Sequence, residues 1–208
     1  MEEVKINVSR FLLNQAIDCL EIAIEARNSL DIDKECQNSI TIQLFLAIAM
    51  EGIINDIAES ELDRWTWEEF ERISTPLKWK LMDNLDPSKD PLQTIKKVHD
   101  IRNKIAHPKL LKDNTAFAIA KDGVLTEFLN DNDQLPDGDF SLYRGYLKSF
   151  KVYNVEDSLN LAKKLISIIE EAQKNHKLNI DEDEIKALKA RIGNLKSLRN
   201  LKWKKDKQ

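Results

Sequence analysis

The chain is short of the residues that break a backbone or staple it. Five glycines and five prolines in 208 residues argue against a turn-rich architecture. Leu, Lys and Ile are the most frequent residues instead, which with so few breakers favours helix. There are two cysteines, Cys19 and Cys36, with no further thiol or histidine at metal-ligand spacing. That excludes a disulfide framework or zinc site in favour of a reduced pair. The most apolar window, Ser39 to Met50, ends at Glu51 and is too short for a bilayer. Met1-Glu2-Glu3-Val4-Lys5 lacks the basic start and apolar stretch of a secretory signal, so a soluble cytoplasmic protein with no membrane partner is expected. A net charge of −4 gives no general attraction for nucleic acid, so any such role must rest on local patches. No internal repeat is present.

What the chain does have is apolar periodicity. With 42% hydrophobic residues it can build one core-bearing domain. Phe11, Leu12, Ala16, Cys19, Leu20, Ala23 and Ile24 recur at spacings of three and four, predicting a helix over about 9–28. A second helix, about 34–63, is apolar nearly all round between Ile40 and Ala58 and belongs at the centre of a bundle. A third helical stretch, 67–85, is interrupted near Thr75-Pro76. A fourth starts at Asp90-Pro91, carries Leu92, Ile95, Val98, Ile101 and Ile105, and ends at or before His107, because Pro108 disfavours helical dihedrals there. Helix resumes over 155–175. The fold expected is all-α: an up-and-down bundle of four to five main helices with a small insertion and a C-terminal amphipathic helix. The bundle spans 1–178, with the insertion at about 110–154, and a basic amphipathic helix occupies 179–208.

Within the insertion, residues 116–120 and 124–128 flank Lys121-Asp122-Gly123 and could pair as a small hairpin. An acidic loop follows, but Leu135 and Pro136 stand where a calcium loop needs a ligand and a glycine, so it reads as solvated. The last segment carries Ile185, Leu188, Ile192, Leu195 and Leu198 as a stripe, with nine basic residues against one acid from Lys186 onward. It can serve RNA phosphates, or be a solvated face that docks on the bundle or on a partner through Leu188, Ile192 and Leu195.

The chemistry concentrates in Ile101-Arg102-Asn103-Lys104-Ile105-Ala106-His107-Pro108. At 100° per residue Arg102 falls in the apolar stripe of its helix, where a cation needs a partner or a cavity. Glu51 is a similar anomaly in the central helix, set among Ala47, Ile48, Ile54, Asn55 and Ala58. Glu51 or Asn55 is therefore expected to meet Arg102 across the helix interface. His99 and His176 have no comparable neighbours and read as structural or solvent-facing. No cluster of carboxylates or histidines suggests a metal, and no cofactor is expected.

Arg102-Asn103-Lys104-Ile105-Ala106-His107 resembles the Arg, polar residue, short spacer, His signature of the HEPN superfamily (higher eukaryotes and prokaryotes nucleotide-binding). The setting is similar too: a helical bundle, an apolar second helix with an internal Glu and Asn, and the motif closing a later helix. The resemblance covers roughly 9–175. It implies a metal-independent endoribonuclease of bacterial toxin or phage-defence type, with RNA as substrate and an antitoxin or defence-system partner. It also implies a homodimer whose two motifs share one composite active site. His107 would move protons, Arg102 stabilise the phosphate and Asn103 orient either group, with Glu51 and Asn55 supporting. The same fold also suits a non-catalytic module binding nucleotide, RNA or a protein partner.

Overall fold

The apolar run of the second helix becomes the axis of the molecule. A computed structural model describes residues 8–86, 89–106, 117–121, 124–128, 141–144, 154–176, 178, 180–195, 197–198 and 202–205. In it α2 (Ile32–Glu61) buries Ile42, Leu46, Met50, Ile54 and Ile57, each at 1% exposure or less. Packed around it are α1 (Val8–Ser29), α3 (Arg64–Glu71), α4 (Thr75–Met82), α5 (Asp90–Ala106) and α6 (Val155–Asn175). The body of the protein is thus an all-α bundle, as composition and periodicity led us to expect.

The sequence window from Ser39 to Met50 understated this helix. An 18-residue stretch of α2 reaches a mean hydropathy of 1.5, enough by length and composition alone to cross a membrane. The apolar pattern continues past Glu51 because Ile53, Ile54 and Ile57 also face the core. Half of that stretch is buried, as befits the central helix of a bundle.

Helices α1 and α2 form an antiparallel hairpin. Its turn closes by a Schellman arrangement, Asp31 N–H to Ala26 O at 2.8 Å and Leu30 N–H to Arg27 O at 3.2 Å. Leu30 supplies the left-handed residue, with φ 62°. Asp31 then caps α2 by accepting from Lys34 N–H at 3.1 Å. At the other end of the hairpin the helices touch at Gly52, where a Cβ would collide with the Ser9 side-chain oxygen. Beneath the turn lies a buried ion pair: Arg27 donates to Glu35 from Nε at 2.6 Å and from Nη2 at 2.5 Å. Glu35 also accepts the Val155 backbone N–H at 3.0 Å, which fixes the start of α6.

The interruption at Thr75-Pro76 separates α3 from α4, with Ser74 at the cap and Pro76 in the first turn, where its missing N–H costs nothing. Trp79 is fully buried and donates from Nε1 to Met50 O at 3.1 Å, locking α4 onto α2. α6 has the bounds its periodicity predicts, capped by Asn154, which accepts from Asp157 N–H at 2.8 Å.

The C-terminal segment differs from a helix running to the end of the chain. α7 covers only Glu182–Gly193, stopping where Gly193 and Asn194 end the helical pattern. Ile185, Leu188 and Ile192 join the same core as α1, α2 and α6, so the segment docks on the bundle. Arg191 holds it to α1, donating to Asp18 at 2.7 Å and Glu21 at 3.0 Å. Among the described residues are also four short strands, β1 (Phe117–Lys121), β2 (Val124–Phe128), β3 (Ser141–Arg144) and β4 (Lys202–Lys205). The expected hairpin is β1–β2, closing at Lys121 opposite Val124. The sheet order is β3-β1-β2-β4, with the tail strand β4 parallel to β2.

Candidate functional site

The last turns of α5 carry two of the three motif residues. Arg102 is 37% exposed, and its Nη2 stands 3.8 Å from Glu51 Oε2 on α2. The expected meeting across the α2–α5 interface therefore occurs, through Glu51. At 3.8 Å it is an ion pair without a hydrogen bond, and with both side chains about one-third exposed, water screens much of its strength. Arg102 donates from Nη1 to Asn103 Oδ1 at 3.1 Å.

Asn55, the other candidate partner, is not engaged with Arg102. One turn further along α2, it accepts from Lys78 Nζ at 2.8 Å. Lys78, on α4, is only 2% exposed and sits 5.7 Å above the Phe70 ring. Burial pushes its ammonium below the ordinary lysine value, while the charges of Glu51 and Glu71 push it back up. Lys78 was not legible as a site residue: nothing in Pro76-Leu77-Lys78-Trp79 signals a buried cation, because the burial comes from tertiary packing, with Asn55 of α2 and Phe70 of α3 against it.

Arg102 and Glu51 line a small cleft that is partly open to solvent. Ala47, Met50, Ile95 and Val98 make its apolar floor, and Thr75 and His99 complete the lining. His99 corrects the reading of that residue as lacking neighbours. Its Nε2 lies 3.0 Å from Asn103 Nδ2, so the motif's amide is engaged by this imidazole one turn upstream. The signal was the four-residue spacing of His99 and Asn103, which puts them on one helix face. His107, the third motif residue and expected proton carrier, lies outside the described residues, directly after the end of α5 at Ala106.

His176 keeps a structural place. It bridges Glu61 Oε1 at 2.7 Å and Asp83 Oδ1 at 3.1 Å, tying together the ends of α2, α4 and α6. Among the described residues no three His, Cys, Asp or Glu side chains are grouped to hold a metal ion. What the cleft can do is bind an anion: a guanidinium and an imidazole share its wall, and one carboxylate competes for the guanidinium. Compared with models of known protein families, with curated proteins and with solved structures, the chain has no match.

Proposed function

We propose that the chain is a metal-independent endoribonuclease of HEPN type, a soluble cytoplasmic protein acting as a toxin or phage-defence effector. The observation that carries this reading is that Arg102, next to Asn103 in the motif, lines an open cleft in a loose pair with Glu51. A guanidinium in that position can exchange the carboxylate for a phosphate, whose geometry its planar fork matches.

In this reading the RNA phosphodiester lies against Arg102, and the adjacent ribose 2′-hydroxyl attacks phosphorus. His107 takes the hydroxyl proton as the new P–O bond forms. The bond to the 5′-oxygen breaks, and the partner subunit's His107 protonates that oxygen across a two-fold axis. Arg102 stabilises the charge gathering on the non-bridging oxygens. The products are a 2′,3′-cyclic phosphate and a 5′-hydroxyl, with no redox change and no water consumed.

Expression of the wild type in cells is expected to cause growth arrest or RNA loss that His107→Ala abolishes. Purified protein with bulk RNA in chelator is expected to leave cyclic phosphate ends. Intact RNA and equal growth would reject the enzyme. The engagement of Arg102 by Glu51 and Asn103 also suits a second reading, a module that binds nucleotide, RNA or a protein partner without cutting. Equal RNA binding by wild type and His107→Ala, with cleavage by neither, would select it.

A further inference from the structure

The chain of contacts from Arg102 to His99 fixes which nitrogen of His99 carries a proton. A guanidinium can only donate, so Asn103 Oδ1 must be the atom facing Arg102 Nη1 at 3.1 Å. The other end of that amide, Nδ2, is then the atom 3.0 Å from His99 Nε2, and an amide NH₂ can also only donate. Nε2 is therefore the acceptor, and the imidazole proton sits on Nδ1. No hydrogen bond of Nδ1 occurs among the described residues, while His99 lines the cleft together with Arg102. Three residues apart on one helix, His99 and Arg102 occupy neighbouring positions on its surface, and Asn103 braces one against the other.

We propose that His99 is a substrate-binding residue of this cleft, donating its Nδ1–H to a phosphate oxygen of RNA beside the Arg102 guanidinium. The inference rests on the reading above that the cleft takes a phosphodiester. It adds a second donor, and it gives the motif's Asn103 a defined role, since that amide holds His99 in the tautomer that leaves Nδ1–H for the ligand. Glu51 is the counterpart on the opposite wall. Its carboxylate occupies the guanidinium until a phosphate replaces it, whereas an imidazole N–H costs no ion pair to recruit.

The test uses the full-length protein with ¹⁵N-labelled histidine and a 2′-O-methyl RNA oligomer, which lacks the attacking hydroxyl and so binds without being cut. The free protein should show His99 protonated on Nδ1, and saturation with the oligomer should shift that nitrogen. His99→Phe should weaken oligomer binding about tenfold, the scale of one hydrogen bond to a charged group. His99→Gln, which restores an N–H and keeps the helix, should recover much of the loss. On cleavable RNA, His99→Phe should lower kcat/KM by at least the same factor. A ring protonated on Nε2 overturns the proposal, as does an oligomer that binds without moving Nδ1. Wild-type affinity in a folded His99→Phe protein also overturns it. Wild-type protein that binds no RNA at all rejects the ribonuclease reading itself, an outcome distinct from each of these.

Discussion

Among the described residues two arginine–glutamate pairs join α2 to a neighbouring helix, and they are built to opposite specifications. Arg27 and Glu35 are 5% and 0% exposed, linked by two short parallel hydrogen bonds, with Glu35 further tied to the α6 backbone. Arg102 and Glu51 are 37% and 35% exposed and stand 3.8 Å apart, too far to hydrogen-bond. The first pair is closed to any ligand and stitches α1, α2 and α6 together. The second leaves a guanidinium at the edge of a cleft, held loosely enough to be captured. Burial and hydrogen-bond geometry, rather than residue identity, separate a sequestered arginine from an accessible one.

The largest effect expected from breaking this contrast is at the closed pair. Arg27→Ala leaves Glu35 as a buried charge without its cation and should cost about 3–5 kcal/mol in denaturant unfolding. Arg27→Met combined with Glu35→Leu should recover part of it, since both buried charges disappear together while the Val155 N–H loses its acceptor.

Lys78 supplies an intermediate case, a buried cation adjoining the open pair. Its folded-state value is lowered by burial, so the unfolded chain holds this proton more tightly than the folded one. Stability should therefore rise with pH through the alkaline window that ends near the ordinary lysine value of 10.5, and the burial penalty is fully present below that window. Lys78→Met should remove this rise, measured as the unfolding midpoint against pH.

The smallest effect on stability is expected at the open pair. Glu51→Gln should change unfolding by less than about 1 kcal/mol, as for other solvent-exposed ion pairs. The same substitution should tighten binding of inorganic phosphate or RNA, because Arg102 loses its internal competitor.

The two pairs also mark what could be read from the chain alone. Arg102 and Glu51 were legible because each is a charge set inside an apolar stripe, and such a residue advertises a partner. The bounds of α6 were legible because Asn154 caps it and the apolar spacing runs unbroken to its end. Arg27 and Glu35 were not, since they lie either side of the α1–α2 turn and only the closed hairpin brings them together. Which of Glu51 and Asn55 meets Arg102 was not legible for a related reason: helical periodicity gives the face of Asn55 but not which neighbour, α4 or α5, covers that face. His99 was passed over although its four-residue spacing to Asn103 was in plain view. The helix projected to the end of the chain failed where Gly193 breaks it, and the basic tail instead adds Lys202–Lys205 to the small sheet.

Arg102 must be free to meet a phosphodiester if the cleft is to cut RNA, and one comparison tests this most directly. Single-turnover cleavage of end-labelled RNA in chelator should be at least about a hundredfold slower for Arg102→Gln than for wild type, the scale of losing one transition-state donor. The unfolding midpoint should barely move. An undiminished cleavage rate in Arg102→Gln would contradict this, and so would a loss of rate that merely tracks loss of fold.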